Sequence, residues 1–198
     1  MMKFTIRLKP QDGESLSSYL FRCCQVNRIS FESLWRLICL SKGSKFYRSH
    51  MRSWDSNPYT HLDLEKTAYV TGQSEEVLES LTYYLLIRKL TTSELDKTTI
   101  YLESVHGCEY INRKSRKICA ECVAQGEGHK LIWNIKGVDY CEKHQSLLID
   151  SCPNCKESFE YSNASFFEGR CPHCEKIIIT ERCKSTELFL MKKNSPYY

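Results

Sequence analysis

Apolar residues alternate with polar ones at the very start of the chain and then switch to helical spacing. Between Met1 and Pro10, Phe4, Ile6 and Leu8 mark every second position, which predicts a short extended arm stopped by proline. Such an arm needs a surface to lie on, either its own helices or a partner protein, and Phe4 and Arg7 are the candidate partner contacts. After the Asp12-Gly13 turn, Ser15 starts a helix whose apolar face holds Leu16, Tyr19, Leu20, Cys23 and Cys24, with Asn27 in the same register. A second helix starts near Ser30 and buries Phe31, Leu34, Trp35, Leu37, Ile38 and Cys39. Cys23 and Cys24 have no partner at metal-ligand spacing and read as small core hydrophobes.

From Leu62 to about Arg88 the pattern is helix, tight turn, helix. Gly72 supplies a positive φ at the turn, and Ser74 caps a helix carrying Val77, Leu78, Leu81, Leu85 and Leu86. The shape is that of a helix-turn-helix, yet its second helix presents Glu75, Glu76 and Glu79 where a DNA reader presents cations or amides. Those carboxylates favour packing, or contact with a protein partner, over DNA reading. Thr91 to His106 has β-type residues at Thr98 to Leu102 and carries no functional signal.

Beyond residue 118 the organising feature is chemical. Four pairs of ligand-type residues, each with a two-residue gap, are Cys119/Cys122, Cys141/His144, Cys152/Cys155 and Cys171/Cys174. Two such turns complete a tetrahedron around a structural zinc, so the pattern predicts two zinc ions, and the second spacing is that of a zinc ribbon. Pro153 and Pro172 follow the first cysteine of their pairs and give turns of the kind that hold a metal. Sequential pairing and an interleaved, cross-braced pairing use the same residues; disulfides or merely buried cysteines are the alternatives to metal. No apolar leader opens the sequence, so an oxidising compartment is not indicated and a cytoplasmic location is expected. Between the first two pairs, Leu131, Trp133, Ile135, Val138 and Tyr140 alternate with polar residues, predicting a strand or hairpin that packs Trp133 over the metal. Leu147-Leu148-Ile149 runs straight into Cys152, which predicts a rigid junction; Phe159, Tyr161 and Phe166-Phe167 fill a second core too small to stand without metal. Ile177-Ile178-Ile179 reads as a returning strand. Cys108, Cys183 and His173 are spare ligands, with His173 expected to face outward.

Two basic stretches change the picture. Lys42, Lys45, Arg48 and Arg52 are interleaved with Phe46, Tyr47, His50 and Trp54, with no acid before Asp55. Lys42, Lys45, Tyr47, Arg48 and Arg52 are therefore candidate nucleic-acid contacts, cations for phosphates and rings for unpaired bases; a solvated loop whose aromatics fold back on the core is the equal alternative. Arg113, Lys114, Arg116 and Lys117 form a run against the first zinc turn that fits a phosphate or an acidic partner, or simply a charged linker.

Composition adds limits. The 198 residues are 41% hydrophobic and 26% charged, an ordinary globular balance with room for one or two domains. No run approaches the roughly 20 apolar residues that span a bilayer. A net charge of +4 makes any nucleic-acid contact local. Closed four-ligand zinc sites leave no position for a reacting water, and no nucleophile–base pair stands out, so no catalysis is expected. The expected architecture is mainly α: a helix-turn-helix-like helical domain with its arm at 1–110, a first zinc-finger module at 111–150, and a second zinc-ribbon module with a tail at 151–198.

The order of these features resembles the TniQ family of transposon target-selection proteins. The likeness rests on Gly13-Glu14-Ser15-Leu16-Ser17-Ser18-Tyr19-Leu20 with Arg22 and Asn27, then Cys119-x2-Cys122, Trp133, Cys141-x2-His144, Leu147-Leu148 and Cys152-Pro153-x-Cys155. Ala120 stands where the family often has proline, without effect on ligation. The chain is similar to the short members found in CRISPR-associated transposons. The resemblance implies a non-enzymatic adaptor that binds the end of a filament of the AAA+ ATPase TnsC on target DNA and joins it to an RNA-guided CRISPR effector with its guide RNA. The alternative is a sequence-specific DNA-binding factor of the TnsD kind.

Overall fold

Serine caps open the first two helices where the sequence places them. The computed structural model describes residues 3–40, 54–85, 110–112, 115–160 and 169–178. Helix α1 (Leu16–Asn27) starts at Ser15, whose hydroxyl accepts the Ser18 N–H, and helix α2 (Phe31–Ile38) starts at Ser30, whose hydroxyl accepts the Ser33 N–H. Each cap satisfies a backbone donor that the first turn leaves without a partner and contributes about 1 kcal/mol. Leu16, Tyr19, Leu20, Cys23 and Cys24 from α1 meet Leu34, Trp35 and Ile38 from α2 in one core. Trp54 is fully buried within it, stacked on Trp35 with ring centroids 6.1 Å apart and tilted against Phe31 at 5.9 Å. That aromatic residue of the basic stretch is thus a core residue, while Lys42, Lys45, Tyr47, Arg48 and Arg52 lie outside the described residues.

The N-terminal arm lies on the chain's own helices. Phe4 is 3% exposed and belongs to the same core, so it is no surface contact for a partner. Its N–H donates to the Val70 carbonyl at 2.9 Å, and Asn27 grips Ile6 through both backbone groups. Arg7 remains exposed, its side chain against Gly72.

Helices α3 (Leu64–Thr71) and α4 (Glu75–Ser80) are joined by the tight turn the sequence predicts. Asp63 caps α3, Ser74 caps α4, and Gly72 closes α3 with φ 73°. A side chain at Gly72 would be strained at that φ and would also press on Arg7 Cδ, 2.7 Å from a built Cβ. Helix α4 ends earlier than predicted. The hydroxyls of Ser80 and Thr82 donate to the carbonyls of Val77 and Glu79, competing with the helical ladder, and the Tyr83 N–H donates to the Asp55 carbonyl at 2.7 Å. Leu81 therefore caps the helix, Leu85 lies beyond it, and Leu86 is outside the described residues.

Among the described residues β structure is confined to isolated bridges. Two of them tie the cysteine-rich region to what precedes it. Residues Gly13 and Ser15 pair with Leu131 and His129 around the Glu14/Lys130 bridge, and Ile111 pairs with Ile135. Ser115 to Ile118 then threads between the two cysteine modules, bridging to Glu160 at one end and Ile149 at the other. Ile118 and Ala120 share a core with Cys152, Phe159, Cys171 and Ile178. Trp133 packs on Cys119, Cys122, Cys141 and Leu148 as expected, but from a 3-10 turn (Leu131–Asn134) instead of a strand.

Candidate metal centres

Three of the four ligand pairs fold into the same small hairpin. In each, the residue before the first ligand bridges the residue six places after that ligand: Tyr140 with Leu147, Ser151 with Ser158, Arg170 with Ile177. The residue just after the second ligand takes a left-handed conformation: Gln145 at φ 52°, Lys156 at 65° and Glu175 at 58°. That twist lets the N–H of Gln145, Lys156 and Glu175 return to the carbonyl of the first cysteine at 2.8–2.9 Å. In the ribbon hairpins the N–H groups of Asn154 and His173 also point at the sulfurs of Cys152 and Cys171, both at 3.4 Å. The Cys119/Cys122 pair differs: Cys119 is the N-cap of helix α5 (Ala120–Ala124), which places both sulfurs at the helix start.

None of the three left-handed residues is glycine, although glycine adopts that conformation without steric cost. Lys156 is exposed, and among the described residues its side chain is in no hydrogen bond or ion pair. Lys156→Gly is expected to raise stability by about 0.5–1 kcal/mol after allowing for the extra freedom of the unfolded chain. A thermal melt with zinc bound measures it; an unchanged or lower midpoint would rule out strain at this position.

The hairpins bring the ligands together in sequence order. Cys119, Cys122, Cys141 and His144 form one cluster, and Cys152, Cys155, Cys171 and Cys174 the other, so the pairing is sequential. In the first, His144 Nδ1 is 3.4 Å from Cys119 Sγ, 3.3 Å from Cys122 Sγ and 3.7 Å from Cys141 Sγ, and the last two sulfurs are 3.7 Å apart. In the second, Cys152 and Cys174 are 3.8 Å apart and Cys155 and Cys171 3.6 Å. A zinc ion bonded to sulfur at about 2.3 Å gives tetrahedral edges of about 3.8 Å, slightly less where nitrogen replaces sulfur. Both donor sets fit one zinc each, with all four positions taken by protein atoms.

Groups around the first site support it in ways the spacing did not reveal. The Ser146 hydroxyl is 3.5 Å from Cys119 Sγ, and the Gln125 amide is 3.1 Å from His144 Nε2. Nδ1 faces the sulfurs, while Nε2 points outward beside the nitrogen of the Gln125 amide, whose oxygen accepts from Lys143. Cys119 is held at about 4, well below the usual thiol range, because Cys122 donates to it and Ser146 adds a second donor, against burial. His173 is exposed, facing away from the metal as expected.

A buried polar network joins this module to the helices. Asp55 and Arg116 are both fully buried and form an ion pair at 3.2 Å. Asp55 accepts from the Ser17 N–H and the Ser17 hydroxyl at 2.8 Å each, and Arg116 donates to Ser17 Oγ at 2.8 Å. His129 Nδ1 lies 3.4 Å from Arg116, and burial, with the guanidinium charge next, holds its pKa well below the ordinary imidazole value. Beside it Glu14 accepts Arg22 through both oxygens at 2.7 Å and the Ser18 hydroxyl at 3.0 Å, while Ser18 Oγ accepts the His129 N–H. Gly128 passes so close that a Cβ there would fall onto Glu14 Oε1. Glu14, Ser15, Ser17, Ser18 and Arg22 thus serve the joint between helices and zinc module.

The TniQ family profile matches residues 5–148, from the arm through the first zinc site. The chain belongs to the TniQ family. No curated protein matches the sequence. TniQ is a family of transposition proteins that act with DNA and other transposition factors, as accessory and generally non-catalytic components. The second cysteine cluster lies beyond the TniQ match.

The remaining sequence-predicted positions in this TniQ chain separate into three groups. Arg116 is the clear correction: it is spent inside the protein on Asp55 and Ser17, and no phosphate can reach it. Lys117 is mostly covered, its amino group on the Val138 carbonyl and on Asp139. Arg113 and Lys114 lie outside the described residues. On α4, Glu76 is exposed, Glu75 is half-buried, and Glu79 accepts the Tyr59 hydroxyl. No described helix is long and apolar enough to cross a membrane.

Proposed function

We propose that the chain is a non-enzymatic adaptor of target selection, linking the AAA+ ATPase TnsC on DNA to an RNA-guided CRISPR effector. The observation that supports this reading, beyond the family, is the acidic start of α4. Glu75, Glu76 and Glu79 occupy the helix that follows the tight turn, and that helix contains no cation. Carboxylates there repel a phosphate backbone and suit a basic protein surface. Zinc in both modules, with four protein ligands each, leaves no coordination position for a reacting water, which fits an adaptor. In this reading residues 1–110 carry the partner contacts at Glu75, Glu76 and Arg7. The modules at 111–150 and 151–198 hold the frame, and Lys42, Lys45, Tyr47, Arg48, Arg52, Arg113 and Lys114 meet guide RNA or target DNA.

Electron imaging of TnsC filaments on DNA with this protein is the test. Density capping one filament end is expected, and Glu75→Lys with Glu76→Lys should remove it while two zinc ions per chain remain. Bare filaments, together with tight binding to one specific duplex, would replace the adaptor by a direct DNA-reading factor of the TnsD kind.

A further inference from the structure

We infer that the second cysteine cluster is a site of reversible thiol oxidation by hydrogen peroxide. Cys155 and Cys174 form disulfides with Cys171 and Cys152, and that cluster gives up its metal while the first keeps its own. The three ligand hairpins are built alike, and in each the first ligand is buried and the second half-buried: Cys141 and His144, Cys152 and Cys155, Cys171 and Cys174. The hairpin thus sets an inner and an outer slot, and the residue in the outer slot decides what solvent meets. In the first module it is His144, whose ring offers no thiolate to a peroxide, and the sulfurs of Cys119, Cys122 and Cys141 lie buried with Trp133 and Leu148 packed on them. In the second module both outer slots hold cysteine. A dissolved oxidant therefore reaches nitrogen at one site and two sulfurs at the other, and oxidation follows thiolate character and access.

Each outer sulfur has a resolving partner within reach. Cys155 Sγ is 3.6 Å from Cys171 Sγ, and Cys174 Sγ is 3.8 Å from Cys152 Sγ, so each hairpin's outer sulfur faces the other's inner one. The Cys155 thiolate attacks one oxygen of the peroxide: an S–O bond forms, the O–O bond breaks, and the leaving hydroxide takes a proton from solvent. The Cys171 thiolate then attacks the sulfenic sulfur, forming the S–S bond and expelling a second hydroxide, which is protonated in turn. Two thiolates lose two electrons, one peroxide gains them, and two waters leave. A second peroxide does the same at Cys174 and Cys152. The sulfurs close to about 2 Å, and a disulfide no longer supplies the thiolates that hold a metal. The effect reaches beyond the ribbon. Ile118 and Ala120 share its core with Phe159 and Ile178, and the Arg116 N–H donates to the Phe159 carbonyl at 2.9 Å, so the oxidation state of the second module sets how firmly that segment is held.

The test exposes the full chain, loaded with two zinc ions, to hydrogen peroxide and follows zinc release with a colorimetric chelator against a peroxide-free control. One ion per chain is expected to leave about tenfold faster than the other, or more. Mass mapping at the end of the fast phase should place disulfides among Cys152, Cys155, Cys171 and Cys174 and free thiols at Cys119, Cys122 and Cys141. Dithiothreitol with added zinc should restore the lost ion. His144→Cys, which keeps four ligands and puts a thiolate in the outer slot of the first site, should speed release of the slow ion about tenfold. The inference is overturned if both ions leave at one rate, if the first disulfides form among Cys119, Cys122 and Cys141, or if His144→Cys releases its ion no faster than the parent.

Discussion

Replacing Arg116 by alanine is expected to destabilise the chain by about 3–5 kcal/mol, the largest single-residue effect outside the metal ligands. The ion pair with Asp55 is completely removed from water, so deleting the guanidinium leaves a buried carboxylate without its counter-ion. The loss should be pH-dependent. In the parent, His129 stays neutral in the folded state, its pKa depressed by burial and then by Arg116, so folding binds fewer protons than unfolding does, and stability falls as pH drops below about 6.5. Without Arg116, His129 loses the second cause of its depressed pKa, so the variant gives up less stability than the parent as the pH falls and its deficit narrows. Urea titrations of both chains across that window measure the difference. Equal losses at both ends would mean that the Arg116 charge does not act on His129.

Cys122→Ser is expected to have the other large effect: one zinc ion per chain instead of two, and loss of the fold around Trp133. Zinc binding in small modules supplies about 10–16 kcal/mol that no apolar core of this size can replace. Cys119, Cys122 and Cys141 are themselves the floor on which Trp133 and Leu148 pack, so metal and core fail together. Elemental analysis should give one zinc, and the near-ultraviolet signal of Trp133 should collapse. Two retained ions would refute the ligand assignment.

Local sequence was enough to read much of this molecule. Ser15, Ser30 and Ser74 announce helix starts because a cap is a contact between residues three apart. Gly72 announces its turn by the conformation it alone takes freely. The zinc clusters are legible for the same reason, since a two-residue gap fixes both members of a pair, and only the joining of pairs needed the structure. What local pattern could not give are the long-range partners. Arg116 stands in a run of basic residues that looks like a surface patch, and nothing within ten positions tells that it is the counter-ion of Asp55. Phe4 alternates like an edge strand, and only the position of Val70 and Leu64 makes it core. The early end of α4 was hidden for a related reason: Leu81, Leu85 and Leu86 keep helical spacing, while the bond that stops the helix runs from Tyr83 to Asp55. The Glu14 to Ser18 motif was recognisable as a signature, but its physical meaning, a joint with residues 128–131, lies more than a hundred positions away.

That joint has a consequence for how the chain is made. Ser17 and Asp55 leave the ribosome well before Arg116, and at roughly 5–20 residues per second the roughly 60 residues from Asp55 to Arg116 take about 3–12 s to synthesise. Throughout that interval the first helices can assemble around Trp35 and Trp54, yet the Asp55 carboxylate and the faces of Glu14 and Tyr83 remain wet. Completion waits for the segment that also carries Cys119 and Cys122, so the helical half gains the counter-ion of Asp55 just as the first two zinc ligands emerge, about 20 residues ahead of Cys141 and His144.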